Sequence, residues 1–172
     1  FEKMLYDNAL LLIAYVEAYQ HTKRECFADT ARRTADYILR ELSGVEGGCY
    51  CGQDADSEGV EGKYYVFTPE EVKAVLGEGD GEEFCRLYDI TYSGNFEGKS
   101  IPNLIGTPDW EQEPEEIKAL RKQLYAYRKQ RTSLHRDDKV LTSWNGLMIA
   151  ALARAGLILD ESRYLDAAER AV

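Results

Sequence analysis

Residues 5–42, LYDNALLLIAYVEAYQHTKRECFADTARRTADYILREL, decide the fold class, because apolar side chains recur in them at helical spacing. Such side chains at i, i+3, i+4 and i+7 line one face of a helix. One row contains Leu5, Leu12, Tyr15, Val16 and Tyr19, and a second contains Phe27, Ala31, Ala35, Ile38 and Leu42. Gly44 follows the second row, where a glycine commonly ends a helix. The stretch therefore predicts a helical hairpin.

Further along the chain, the pattern changes and then returns to helix. Residues 49–54 and 63–67 are predicted as two strands joined by an acidic loop over 54–62. Helices are then predicted over about 69–76, 82–88, 115–131 and 143–159, and another from about 163. We also expect the chain to begin and end inside helices. The predicted fold class is mainly α, with helical hairpins and a small inserted β-hairpin.

The composition is that of a folded acidic protein. The 172 residues include 31 Asp and Glu against 21 Lys and Arg, and the formal net charge is −10. Nucleic acids and anionic membrane surfaces are polyanionic and would repel this charge, so we expect neither as a partner. The longest apolar runs are too short to span a bilayer. Four cysteines are too few for a disulfide scaffold, which favours a reducing compartment and a cytoplasmic location.

Cys49 and Cys51 form the only close cysteine pair, with a single residue between them. Zinc and redox pairs usually have two residues between the cysteines, and no second pair of ligands follows here. On a strand, positions 49 and 51 share one face, so we expect two small apolar side chains packed against the core. A metal or redox role is the alternative.

The densest group of carboxylates lies in the acidic loop, at Asp54, Asp56 and Glu58, and is followed by Gly59. This spacing resembles a calcium loop, but Tyr65 stands where an EF-hand needs its bidentate glutamate. Three interpretations remain: a looser cation site, carboxylates at a pocket mouth that act on sugar hydroxyls, or aspartates that cap turns. We take these three residues as catalytic candidates and expect no dedicated metal ligands.

A second polar group surrounds the start of the predicted helix over 143–159. Trp144 offers a flat apolar platform and one hydrogen-bond donor, which suits a sugar ring or the edge of a core. Helix N-termini favour anions and polar ligands, but His135, Asp137 and Asp138 are also common at such positions as surface or capping residues. The substrate-binding candidates are Tyr6, Asp7, Asp138, Trp144 and Asn145.

Four segments together resemble one family: FEKMLYDNA at 1–9, DADSEG at 54–59 with GKYYV at 62–66, GNFEG at 94–98, and DDKVLTSWNGL at 137–147. They are similar to the thioredoxin-domain-containing proteins of the spermatogenesis-associated protein 20 type, also called the YyaL family. The resemblance implies a longer parent protein with a thioredoxin-like domain upstream of a six-hairpin (α/α) toroid related to N-acylglucosamine 2-epimerases and glycosidases. Residues 1–172 would be one partial toroid domain, excised from that parent.

The functional expectation follows from the toroid that the resemblance implies. We expect a carbohydrate-binding or sugar-converting domain that takes a small sugar, requires no cofactor and is inactive as an isolated segment. An epimerase would need a base with a raised pKa, for which Asp56 or Glu58 is a candidate if desolvated. Apolar faces exposed by the excision could pair two copies of the segment. The alternative is a non-catalytic scaffold that serves the thioredoxin-like domain in cis.

Overall fold

The computed structural model describes residues 1–108 and 110–172. These residues form two compact units. The first unit contains Phe1 and residues 55–134, and the second contains residues 2–54 and 135–172. Seven α-helices dominate the described residues, which confirms the mainly α class. Seven helices do not by themselves close a ring, and a compact unit is not necessarily a domain. The toroid and the single partial domain over 1–172 therefore stay predictions.

The helices and strands have the following bounds in chain order: β1 (Lys3–Met4), α1 (Leu5–Thr22), α2 (Glu25–Tyr37), β2 (Gly52–Gln53), β3 (Asp56–Ser57), β4 (Val60–Glu61), α3 (Pro69–Leu76), α4 (Glu78–Leu87), α5 (Glu115–Arg131), β5 (Arg136–Asp137), α6 (Thr142–Leu159) and α7 (Ser162–Arg170). A π-helical turn over Ile38–Leu42 continues α2. The prediction that the chain begins inside a helix was wrong, because a strand precedes α1. At the other end, α7 stops at Arg170.

A three-stranded sheet in the second unit fixes the direction of its two longest helices. The strand β2 lies in the middle and pairs antiparallel with both β1 and β5, so β1 and β5 run parallel to each other. Because β1 leads directly into α1 and β5 leads into α6, both helices begin at the same end of this unit. We call this end, which comprises the three strands and the first turns of α1 and α6, the sheet end.

The core of the second unit lies between α1, α2, α6 and α7. Leu5, Leu12 and Met148 are among its fully or almost fully buried side chains, and Cys49 packs against the same cluster. Each buried aliphatic side chain of this kind contributes about 1.5–3 kcal/mol of hydrophobic stabilisation. Cys49 and Cys51 are both buried free thiols, as expected for small core side chains.

A buried tyrosine connects α7 to α2 inside this core. Tyr164 has no exposed surface, and its hydroxyl donates to Asp36 Oδ1 at 2.8 Å. Arg163 donates to the same hydroxyl at 2.9 Å and forms an ion pair with Asp36. Burial, followed by the hydrogen bond to Asp36, raises the pKa of Tyr164 well above its usual value. The hydroxyl therefore stays protonated and keeps donating at neutral pH.

The acidic loop in the first unit contains a short hairpin of its own. The strands β3 and β4 pair antiparallel, with Ser57 opposite Val60. Glu58 and Gly59 form the connection with φ of 54° and 77°, the left-handed conformations that a tight two-residue turn requires. The segment over 54–62, which the sequence predicts as a loop, thus contains two short strands. The two-residue turn between them depends on Gly59 for its second left-handed position.

The strand predicted over 63–67 was wrong, because these residues form turns that end at a bridge between Phe67 and Ser100. Arg131 of α5 explains the difference. Its guanidinium donates to the carbonyl oxygens of Lys63, Tyr64 and Val66 at 2.8–3.0 Å. These backbone groups are therefore satisfied by a side chain instead of by a neighbouring strand.

The remaining core of the first unit lies between α3, α4 and α5. Val72, Phe84 and Ile117 are buried there. Thr68 accepts a hydrogen bond from the amide of Glu71 at 3.3 Å, which confirms the predicted helix start at Pro69. In a capping box, the Glu71 carboxylate would also accept from the Thr68 amide. Within the described residues, that carboxylate instead accepts from Arg131 at 2.7 Å.

By length and composition alone, α6 could cross a membrane, since its mean hydropathy over Thr142–Leu159 is 1.2. Such a criterion is also met by core helices of soluble proteins. Met148, Leu152 and Ala155 on this helix are buried in the second unit's core. The helix is thus packed as a core helix, and its hydropathy is weak support for a membrane span.

Candidate functional site

The structure divides the candidate residues between the two units. Asp56 and Glu58 belong to the first unit. The second unit contains Tyr6, Asp7, Asp54, Asp138, Trp144 and Asn145. Each group is described within its own unit, and a shared pocket for all eight residues stays a prediction.

Glu58 of the first unit is engaged in local contacts. Its carboxylate forms an ion pair with Lys63 and accepts a hydrogen bond from Thr132 at 3.1 Å. The hydrogen bond from Lys63, followed by that from Thr132, lowers the pKa of Glu58 below its usual value. A general base that works near neutral pH needs the opposite shift. The condition under which Glu58 was expected to act as a base is therefore not met.

Asp56 is exposed and lies directly opposite Glu61 in the β3–β4 hairpin. Like charges opposite each other in a hairpin weaken it slightly. Across residues 1–108 and 110–172, no group of three His, Cys, Asp or Glu side chains has an arrangement that could hold a metal ion. The catalytic role of Asp56 stays a prediction.

Two aromatic candidates meet at the sheet end of the second unit. The rings of Tyr6, in the first turn of α1, and Trp144, in the first turn of α6, are 4.8 Å apart between centroids and inclined by 63°. Both side chains are half-buried, so the pair has one side in the protein and one side in solvent. Asp7 follows Tyr6 in the sequence, and Asp138 lies shortly before the start of α6. Both aspartates are exposed. A half-buried aromatic pair is therefore available at this end, where Asp7 and Asp138 are close to it in sequence.

Asn145 follows Trp144 but has a different environment. The residue is only 6% exposed, and its Oδ1 accepts from the amide of Cys49 at 2.7 Å. Its Nδ2 donates to the carbonyl oxygens of Cys49 at 2.9 Å and Leu141 at 3.1 Å. Because both amide hydrogens are used by the backbone, Asn145 positions the chain before β2 and does not offer its donors to a ligand.

Asp54 directly follows the strand β2 and forms a pair with His135, which directly precedes β5. Asp54 Oδ2 lies 2.9 Å from His135 Nδ1, and the Asp54 amide donates to the His135 carbonyl at 3.0 Å. The side chains are 49% and 74% exposed respectively. This carboxylate–imidazole pair was not expected as a unit, since 80 intervening residues separate its members.

Asp137 is committed to a neighbouring ion pair. Its carboxylate contacts Lys139 Nζ, and the hydrogen bond from Lys139 lowers the pKa of Asp137. Of the two adjacent aspartates, Asp137 is thus paired with Lys139, and Asp138 is exposed.

A groove of about 900 Å³ lies along α1 and α2 in the second unit. Of the candidate residues, only Asp7 lines it. Its other walls include exposed Leu10 and Leu11 from α1 and Thr34 and Tyr37 from α2. The α2 residues that line the groove, Thr30, Arg33, Thr34 and Tyr37, lie three to four positions apart, so helical spacing in the sequence indicates that they share one face.

Comparison with curated proteins identifies relatives of the chain. Human spermatogenesis-associated protein 20 is 31% identical over 96% of the chain and 25% of its own length. The mouse protein of the same name is 33% identical over 92% of the chain and 24% of its own length. An uncharacterized protein of Caenorhabditis elegans is 31% identical over 99% of the chain and 28% of its own length.

The chain is homologous to spermatogenesis-associated protein 20. It spans about a quarter of the length of these curated relatives. No family model matches the chain. The names of spermatogenesis-associated protein 20 and of the nematode relative state neither a reaction nor a ligand, so the homology supports the expected family and leaves the activity to be proposed.

Proposed function

We propose that the chain is part of a carbohydrate-binding, sugar-converting (α/α) toroid within a longer cytoplasmic protein that also carries a thioredoxin-like domain. The observation that supports the binding role best is the Tyr6–Trp144 pair at the sheet end, with ring centroids 4.8 Å apart. A half-buried aromatic pair presents a rigid apolar surface on which the C–H face of a sugar ring can pack.

The surroundings of the pair favour a polyhydroxylated ligand. Asp7 and Asp138 are exposed and can accept hydrogen bonds from sugar hydroxyls. The helices α1 and α6 both begin here, and their N-terminal dipoles add a positive partial charge beside these carboxylates. In this proposal, the pair binds one ring and the carboxylates select its hydroxyl groups.

Calorimetric titration of the complete natural protein tests the proposal. The ligands are hexoses, N-acetylhexosamines, reducing disaccharides and sugar phosphates. We expect saturable binding to at least one of them and an affinity that falls about two- to tenfold in W144F, since a lost ring contact of this kind costs about 0.5–1.5 kcal/mol. The matched control is W110F, because Trp110 is an exposed tryptophan of the first unit.

Two outcomes contradict the proposal. One is the absence of saturable binding across the whole panel, which leaves the scaffold hypothesis in its place. The other is an equal loss of affinity in W144F and W110F, because the contact would then not be specific to the Tyr6–Trp144 pair.

A further inference from the structure

The Asp54–His135 pair has a defined backbone geometry. Gln53 and Arg136, the adjacent residues, are register partners in the β2–β5 ladder. The Asp54 amide also donates to the His135 carbonyl at 3.0 Å. The carboxylate and the imidazole therefore extend from two paired chain segments and do not depend on flexible loops for their 2.9 Å contact.

The contact determines which ring nitrogen is available. An ionised carboxylate can only accept hydrogen bonds, so Nδ1 of His135 carries the proton that it donates to Asp54. In the neutral imidazole, the lone pair is then on Nε2. Throughout residues 1–108 and 110–172, Nε2 has no hydrogen-bond partner, and the side chain is 74% exposed. A basic nitrogen is thus held in a fixed orientation and open to solvent.

We propose that His135 is a catalytic acid–base residue, positioned by Asp54, that opens the hemiacetal ring of a reducing sugar. This inference rests on the proposed carbohydrate-binding function and specifies the chemistry at the sheet end. It assigns to Asp54 the role of a positioning residue, which orients the imidazole.

The reaction needs no oxidant, reductant or second substrate. His135 Nε2 accepts the proton of the anomeric hydroxyl, the bond between the anomeric carbon and the ring oxygen breaks, and a carbonyl group forms. The imidazolium then returns its proton to the ring oxygen. Closure of the ring on the opposite face of the carbonyl gives the other anomer, so the net reaction is mutarotation and the proton count is unchanged.

The strand register relates this pair to the aromatic pair. The amide of Leu5, next to Tyr6, donates to the carbonyl of Cys51 at 2.8 Å. Asp54 lies three residues further along, a separation of about 10 Å at the rise of an extended strand. In this inference, a ligand with more than one sugar ring contacts Tyr6 and Trp144 while its reducing end is at His135. The substrate class is a reducing oligosaccharide.

Polarimetry of freshly dissolved α-lactose or α-maltose with the complete natural protein tests the inference. We expect the protein to accelerate mutarotation and H135Q to lose about 100-fold of the catalysed rate, the usual contribution of a general acid–base residue. The matched control is H21Q, because His21 is the other histidine of this chain and is exposed in the last turn of α1. We expect it to retain the full rate.

Asp54 variants test the positioning role. D54N should lose most of the catalysed rate at saturating sugar, up to the roughly 100-fold lost in H135Q, and D54E, which retains a carboxylate, should recover part of that loss. Calorimetry on the same variants should show unchanged sugar affinity, which a general structural defect would lower. Equal rates for D54N and the unaltered protein would overturn the positioning role.

The two proposals fail in different ways. If sugars bind with a W144F-sensitive affinity but mutarotation is not accelerated, or H135Q and H21Q have equal rates, the inference about His135 is overturned and the binding function stands. If no sugar binds in calorimetry, both proposals fail. Circular dichroism of each variant confirms that a rate loss is measured on folded protein.

Discussion

Asn145 and Cys49 are joined by two hydrogen bonds that use both backbone groups of Cys49. Asn145 Oδ1 accepts from the amide at 2.7 Å, and Nδ2 donates to the carbonyl oxygen at 2.9 Å. The bonds reproduce the pairing that a neighbouring strand would provide, on a residue that has only 2% of its surface exposed. The side chain thereby attaches the segment before β2 to the start of α6.

Replacing Asn145 with alanine should destabilise the chain by about 2–4 kcal/mol. The substitution leaves the buried amide and carbonyl of Cys49 without partners, and each unsatisfied buried group costs about 1–3 kcal/mol. Urea denaturation followed by circular dichroism measures the change. The matched control is N8A, since Asn8 Nδ2 donates a hydrogen bond to Met4 O at 2.7 Å within the first turns of α1. Equal destabilisation by both variants would contradict the role assigned to Asn145.

Tyr164 should make stability depend on pH in the alkaline range. Its pKa is raised in the folded chain, so the folded state retains the proton at pH values where the unfolded state has lost it. The stabilisation is complete below the unfolded tyrosine pKa of about 10 and is lost progressively as the pH rises above it. In Y164F, this part of the pH dependence should disappear.

Urea denaturation at pH 8, 9, 10 and 11 measures the effect. The control is Y92F, because Tyr92 is 71% exposed. Y164F should also lose about 1–2 kcal/mol at neutral pH through the loss of the hydrogen bond to Asp36. Parallel stability–pH curves for the unaltered chain and Y164F would refute the assignment.

Lys63 should control the titration of Glu58. The pKa of Glu58 is lowered first by the hydrogen bond from Lys63, so K63M should move it back toward the usual glutamate value. Carbon-detected NMR of the side-chain carboxyl measures the shift. The matched control is K139M, which removes the corresponding partner of Asp137 and should raise the pKa of Asp137 while Glu58 is unchanged. An unchanged Glu58 titration in K63M would exclude Lys63 as the cause.

The first unit should be removable without unfolding the second. Asp54 and His135 are hydrogen-bonded neighbours, so a two-residue Asn-Gly turn can replace residues 55–134 and connect β2 to β5 as a hairpin. We expect the shortened chain to keep helical circular dichroism and a cooperative thermal transition, since the second unit has its own hydrophobic cluster. Removal of residues 162–172 is the control and should abolish cooperativity, because Tyr164, Ala167 and Ala168 belong to that cluster. A shortened chain without a cooperative transition would contradict this independence.

The sequence was sufficient for elements whose stabilisation is local. Apolar periodicity predicted α1, α5 and α6 to within a few residues, because the face that each helix buries against its neighbours is visible as a repeat in its own local sequence. It failed at residues 63–67, whose aromatic and β-branched side chains are typical of a strand. There the backbone carbonyls are bound by Arg131, a side chain 65–68 residues away that no local pattern reveals.

The candidate site shows the same limit. The sequence indicates Trp144 and Tyr6 as separate ligand contacts, and the structure brings their rings together. The sequence does not indicate which polar side chains form hydrogen bonds with the backbone. The Asn145 side chain has a donor and an acceptor that suit a polar ligand. It instead hydrogen-bonds the backbone of Cys49, 96 positions away in the sequence. Distant pairing also produces the Asp54–His135 contact, because the two residues are 81 positions apart and no local pattern relates them.

The contacts that hold α6 and α7 against the first helices of the second unit should make this unit fold slowly. The contacts that close the second unit join residues far apart in sequence: 96 positions separate Asn145 from Cys49, and 128 separate Tyr164 from Asp36. Closing such long loops costs conformational entropy before the contacts can form, and a high average contact separation slows folding. The short-range helix pairs α1–α2 and α3–α4 can form first. Assembly of α6 onto α1 should then be the slow step, during which the apolar faces of both helices are exposed to aggregation.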